Sequence, residues 1–210
     1  MKKKKIRAQF HKYVIKHCGT PKKLKHFLKF AHITKEEFHE KYDCLRKVEL
    51  DIWKTSLQGV LTHLGGSNDY CGYSHRDKGL SFMYSWLEFM DQNSPFFKNC
   101  SDFSSCGLTG KSNDFKKILT RFVKNIIKEG VVSQEFKDRG IKAKYMSHFF
   151  VGLFFMVLKQ WKQRGPKKKK KQEEFMDALV EKSMLFFFDS LAPNLFDSFI
   201  DLMKHRGSKK

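Results

Sequence analysis

Apolar residues recur along this chain at helical intervals, and the two-residue alternation of strands does not occur. Ile6, Phe10, Tyr13 and Val14 share one face of a helix predicted over 2–17, with Gly19 as its stop. Thr20 and Pro21 have the chemistry of a helix start, and Leu24, Phe27 and Leu28 form the next apolar stripe. Ala31-His32-Ile33 reads as a turn. Thr34-Lys35-Glu36-Glu37 then has the spacing of a capping box, opening a short helix that carries Phe38 and Tyr42 one turn apart. Asp43 is the expected cap of a long helix over 44–64, with Leu45, Val48, Ile52, Val60, Leu61 and Leu64 inward.

Ser74-His75-Arg76-Asp77 opens another helix, which places Leu80, Met83, Leu87 and Met90 on one face. Residues 93–113 are turn-rich and read as a loop. Asp114–Glu129 is periodic and stops at Gly130, and a short helix is expected over Ser133–Arg139. An apolar helix over 141–163 follows, then a break at Arg164-Gly165-Pro166 and a solvated loop at Lys167–Lys171. Two final helices fit Glu173–Leu191 and Asn194–His205. The fold class is therefore all-α, with about nine or ten helices: three short ones, then a bundle.

Charge sharpens this picture. The net charge is +20, but it is concentrated in two places. Residues 1–35 hold twelve Lys or Arg and no acid, residues 159–171 hold eight and no acid, and the rest of the chain balances. Fields this localised suit a polyanion: nucleic acid or an anionic membrane surface. Cys18, Cys44, Cys71, Cys100 and Cys106 form no CxxC pair, and Arg7 and Gln9 interrupt any secretory apolar segment, so reduced thiols in a cytoplasmic protein are expected. The longest apolar run, Tyr145–Leu158, has 14 residues, the length of a buried helix rather than a membrane span. No P-loop, HExxH, GxSxG or GxGxxG motif occurs, and neither His17-Cys18 nor Cys100/Cys106 has zinc-ligand spacing. No enzyme, cofactor or metal is expected.

The run Gly19, Leu24, Phe27, Leu28, Ala31, Ile33, Thr34, His39 and Tyr42, leading into a long connector helix, resembles the TetR family of one-component transcriptional regulators. Ile33-Thr34 matches the family's entry into its recognition helix, and Phe38 to Tyr42 its aromatic pair; His32 stands where the family has Gly. Val48–Trp53, Tyr73–Arg76 and Glu181–Ser183 resemble a Bacteroidetes-like subgroup with a TetR-type C-terminal domain. The resemblance implies a helix-turn-helix DNA-binding domain over 1–47 and a helical ligand-binding and dimerisation domain over 48–210. It also implies a homodimer through the C-terminal helices, with two reading heads about 34–36 Å apart on DNA and a small hydrophobic ligand as the controlling effector.

The residues expected to meet DNA are Lys22, Lys23, Lys25, Thr34, Lys35, His39, Lys41, Tyr42, Arg46 and Lys47, with Lys2–Lys5 as an arm. Met83, Trp86, Phe122, His148, Phe149, Leu153 and Met156 are the expected lining of an apolar pocket. The competing reading is a TetR-fold lipid-binding or protein-adaptor module acting at an anionic membrane surface without specific DNA reading.

Overall fold

The computed structural model describes residues 2–100, 113–138, 143–163 and 169–192. Among them there are nine α-helices, one 3-10 turn at Asp69–Gly72 and no strand. The helices are α1 Lys3–His17, α2 Leu24–Ala31, α3 Lys35–His39, α4 Leu45–Gly65, α5 His75–Gln92, α6 Ser94–Phe97, α7 Asp114–Val132, α8 Ala143–Gln163 and α9 Lys169–Asp189. The chain forms two compact units. Met1–Gly66 with Ser85–Leu119 makes the first, and Ser67–Tyr84 with Thr120–Lys210 the second.

The first unit is built on α1. Ile6, Phe10 and Val14 repeat every four residues and are fully or almost fully buried. Phe10 meets Phe27 of α2 edge to face at 5.7 Å, and Phe27 meets Phe38 of α3 at 6.1 Å. One aromatic line thus fixes three short helices, none of which could persist alone. A second cluster joins Trp53 of α4, Trp86 of α5 and Phe97 of α6, with Trp53 and Phe97 4.7 Å apart. Burying each such ring contributes about 1.5–3 kcal/mol, so a few contacts dominate this unit's stability.

In the second unit Phe82 of α5 packs on Phe122 of α7 at 4.9 Å and on Phe154 of α8 at 5.9 Å. Phe150 of α8 meets Phe187 of α9 at 5.1 Å. Phe136 stacks on Phe188, and both rings lie over glycines: a Cβ on Gly130 would come within 2.2 Å of Phe136, and one on Gly79 within 2.4 Å of Phe188. These positions need glycine for close approach, not for backbone freedom.

Several local expectations are corrected. Cys18, not Gly19, takes the left-handed conformation that ends α1. The Cys18 and Gly19 N–H groups both donate to the Val14 carbonyl, so Gly19 is the residue after the reversal. Lys23 rather than Thr20 is the cap of α2, which starts at Leu24 rather than Pro21, and Pro21 is buried ahead of it. Cys44, not Asp43, caps α4, without a side-chain bond. Leu45 and Leu61 are only half-buried, while Trp53 and Leu57 are the buried apolar residues the stripe omitted. The expected loop after residue 92 begins with α6, because Phe96 and Phe97 supply buried rings to the first unit; residues 101–112 lie outside the described residues. Gly130 does not stop α7, which continues to Val132. Over 133–138, the described part of the helix expected at Ser133–Arg139, the chain instead turns, with Gln134 at φ 62°, because Phe136 folds back over Gly130. The later lysines of Lys167–Lys171 belong to α9, in keeping with lysine's fair helix propensity. Residues 139–142, 164–168 and 193–210, with the expected last helix, lie outside the described residues.

Candidate nucleic-acid interface

The helix-turn-helix segment is fixed by backbone chemistry at its turn and at its second helix. His32 ends α2 with φ 51° and ψ 50°, and its N–H and that of Ile33 both donate to the Leu28 carbonyl. A non-glycine residue in this left-handed region carries strain that the surrounding packing must overcome. Thr34 then caps α3 reciprocally: its Oγ1 accepts from the Glu37 N–H at 3.2 Å, and Glu37 Oε2 accepts from the Thr34 N–H at 3.0 Å. The Glu36 carboxyl is held below the usual carboxylate range by its own backbone N–H and by the Thr34 hydroxyl. Two of the three acids of this stretch are thereby turned to the helix start. The third, Glu40, pairs with Lys41, which lowers its pKa.

A tripartite bond holds the end of this motif to the connector. Tyr42 is buried, and its hydroxyl donates to Asp51 Oδ2 at 2.6 Å. Arg7 of α1 donates to the same oxygen at 2.8 Å and to Thr55 Oγ1 at 3.0 Å. Burial, then the bond to Asp51 and its charge, push the Tyr42 pKa well up, with Arg7 opposing. The Lys3 ammonium sits 5.2 Å from the Tyr42 ring centre.

Lys22, Lys23, Lys25, Thr34, Lys35, His39, Arg46 and Lys47 are exposed, and Lys41 is half-buried. Two concavities of the first unit gather most of them. A groove of about 890 Å³ is lined by Lys25, Thr34 and Lys35 together with the apolar Leu24, Leu28 and Ile33. A cleft of about 610 Å³ gathers Lys41, Tyr42, Arg46 and Lys47. Lys22, Lys23 and His39 line neither. Tyr42 joins the set only as a strut, since its hydroxyl is engaged by Asp51. The expected Lys2–Lys5 arm is largely helix, because α1 begins at Lys3. Reading the sequence missed Lys29 in the groove and Lys54 in the cleft. Lys29 was legible as one helical turn from Lys25; Lys54 was not, because it comes from two turns along the connector.

The residues expected to line an apolar pocket differ in their surroundings. Met83 is fully buried and Phe122 packs on Phe82, but Trp86 belongs to the aromatic cluster of the first unit. His148 is exposed, Phe149 and Met156 are 39% and 41% exposed, and Leu153 is half-buried. Periodicity predicted α8 as a helix but could not tell its inner face from its outer one. Among the described residues no group of three or more His, Cys, Asp or Glu could hold a metal ion. Among them, too, no helix is long and apolar enough to cross a membrane.

Residues 78–205 match the family model described as Tetracyclin repressor-like, C-terminal domain, which covers more than half of the chain. The chain belongs to the TetR family. A solved structure from Syntrophomonas wolfei, described as a TetR-family transcriptional regulator, is similar in fold. The likeness covers 88% of this chain and 94% of that one at a TM-score of 0.63 and 12% identity. No curated protein sequence matches the chain. The family model begins within α5, so the TetR assignment rests on the C-terminal part, while the solved structure extends the same fold over most of the chain.

Proposed function

We propose that this chain is a DNA-binding transcriptional regulator of the TetR type, acting in the cytoplasm as a homodimer, with residues 1–47 as the reading head and 48–210 as the body. The observation that carries the reading is the head itself. A turn through left-handed His32 leads into a reciprocally capped α3 that exposes Thr34, Lys35 and His39. The exposed lysines of α1 and α2 supply attraction to phosphates without reading sequence. Dimerisation is supported by an apolar stripe on α8 and α9. Tyr145, Phe149 and Met156 recur at helical spacing on α8, and Phe175 and Phe186 on α9, all of them exposed. Control by a small apolar ligand belongs to the same proposal. Its support is the ring cluster around Phe82, Phe122, Phe150 and Phe154, which such a ligand would part.

The test is a mobility-shift assay on the DNA upstream of the protein's own coding sequence, repeated over a salt series. The expected result is a specific complex that survives competitor DNA and is lost in a K35Q/K41Q variant. Each phosphate contact removed lowers the slope of log affinity against log salt by about 0.9. Binding that competitor DNA abolishes equally at every sequence would overturn the reading.

A further inference from the structure

His32 carries strain that no contact of its own ring offsets. It ends α2 at φ 51° and ψ 50°, a region that glycine enters freely and a β-carbon resists. Its ring is exposed and makes no hydrogen bond, ion pair or ring contact with another described residue. The left-handed turn places His32 in the lining of the groove of about 890 Å³. Lys25 and Lys29 of α2 and Lys35 of α3 line the same groove, and no acid does. Glu36 and Glu37, the nearest acids along the chain, sit in the capped first turn of α3 and are not part of the lining. A strained residue whose side chain has no partner inside the molecule points to a contact made outside it. In a groove of this sign, that contact is with an anion.

We propose that His32 is a further contact of the reading head with a DNA phosphate, made by its protonated ring, so that affinity for DNA rises as pH falls. This deepens the reading of the chain as a DNA-binding regulator and rests on it. An imidazole changes its charge between about pH 5 and 8. The neutral ring has one N–H to donate, whereas the imidazolium has two and a charge, and a charge-assisted bond to phosphate is roughly twice as strong as a neutral one. Lysine ammonium groups stay charged and carboxylates stay ionised across that interval. His32 is therefore the one residue of the groove lining whose charge switches there.

Fluorescence anisotropy of the full chain with a labelled duplex from the DNA upstream of its coding sequence, over a salt series at about pH 8 and about pH 5.5, tests this. The comparison is with H32N, because asparagine tolerates the left-handed turn but takes no charge. On going to the lower pH, the plot of log affinity against log salt should steepen by about 0.9 more in the wild type than in H32N. At about 0.1 M salt the wild type should gain roughly fivefold more affinity than H32N over the same step. Contributions from His39 and the other histidines cancel, since both chains carry them. H26Q, which alters an exposed histidine of α2 outside the groove, should follow the wild type. Circular dichroism melts at both pH values establish that the variants fold, and H32G, which relieves the strain, is a second chain without the ring. Equal steepening in the wild type and H32N would overturn the proposal by placing the titration elsewhere. So would a loss of affinity in H32N and H32G by the same factor at both pH values, which would make His32 a structural residue of the turn. Either result leaves the regulator reading standing; a wild-type chain that binds no DNA at either pH overturns both.

Discussion

Asp51 receives two donors on one oxygen and so ties α1, the end of the helix-turn-helix and α4 at a single atom. Neither Arg7 nor Asp51 is more than about a quarter exposed, so solvent does little to replace the bond. Charged hydrogen bonds of this kind contribute about 1.5–3 kcal/mol each. D51N keeps the shape but removes the charge, and is expected to lower stability in urea unfolding by about that amount. D51A should cost more, because the Tyr42 hydroxyl loses its acceptor. Unchanged unfolding in both variants would show that the head is held by its aromatic line alone. Glu135 plays a comparable part in the second unit, where it accepts the His75 and Arg76 N–H groups and the His75 ring. Burial opposes its charge, but these donors outweigh it and hold its pKa below the ordinary value. A depressed carboxylate pKa stabilises the fold above the unfolded value, about 4.3, and the contribution is lost as pH falls through the folded value. His11, stacked on Phe96 at 4.6 Å, has its pKa lowered by burial, so its protonation costs stability once pH drops below about 6.5. Stability against pH should therefore fall in two stages. E135Q, which removes the lower one, should cost about 1–3 kcal/mol at pH 7. H11F should flatten the upper one; a curve identical to wild type in both variants would count against these assignments.

At the scale of elements, long apolar periods were legible and short irregular segments were not. Ile6, Phe10 and Val14 announce α1 because one face of a helix is all they can share, and Thr34 with Glu37 announces α3 because the capping box is local. The turn after α7 was not legible. Residues 133–138 carry ordinary helix chemistry, but Phe136 is wanted over Gly130 and Glu135 at the start of α5, and such long-range demands leave no local mark. The short helix Ser94–Phe97 was hidden for the same reason: Pro95 and Asn93 signal a turn, and only tertiary packing makes Phe96 and Phe97 core. On α8 the apolar residues wrap the helix, so sequence could not separate Phe150 and Phe154, which are buried, from Phe149 and Met156, which are not. That outer face is where the dimer proposal can be tested. F186E places a charge on an exposed ring that touches Phe149 at 5.9 Å, so the monomer loses little. Sedimentation should show a dimer for the wild type and a monomer for F186E, with circular dichroism unchanged. A dimeric F186E would move the interface elsewhere.

At the scale of the whole molecule, the charge distribution sets two opposing responses to salt. The twelve basic residues of positions 1–35 have no acid among them, and the described lysines there are exposed. Their mutual repulsion works against the folded state, because folding brings α1 and α2 side by side. At 0.02 M salt that repulsion reaches across the head; at about 0.3 M the screening length falls to roughly 6 Å and little of it survives. Thermal stability is therefore expected to rise by a few degrees over that interval, while affinity for DNA falls steeply over the same interval through counterion release. The two measurements separate the causes. A repulsion among surface lysines responds to any added salt, and short DNA or tripolyphosphate added at low salt should raise the melting temperature by occupying the same field. Neutralising Lys22, Lys23 and Lys25 together should reproduce the effect of salt on stability without adding any. If the melting temperature instead fell with salt, favourable ion pairs such as Arg7–Asp51 would dominate the balance, and the basic face would have to be read as tolerated rather than as held in readiness for a polyanion.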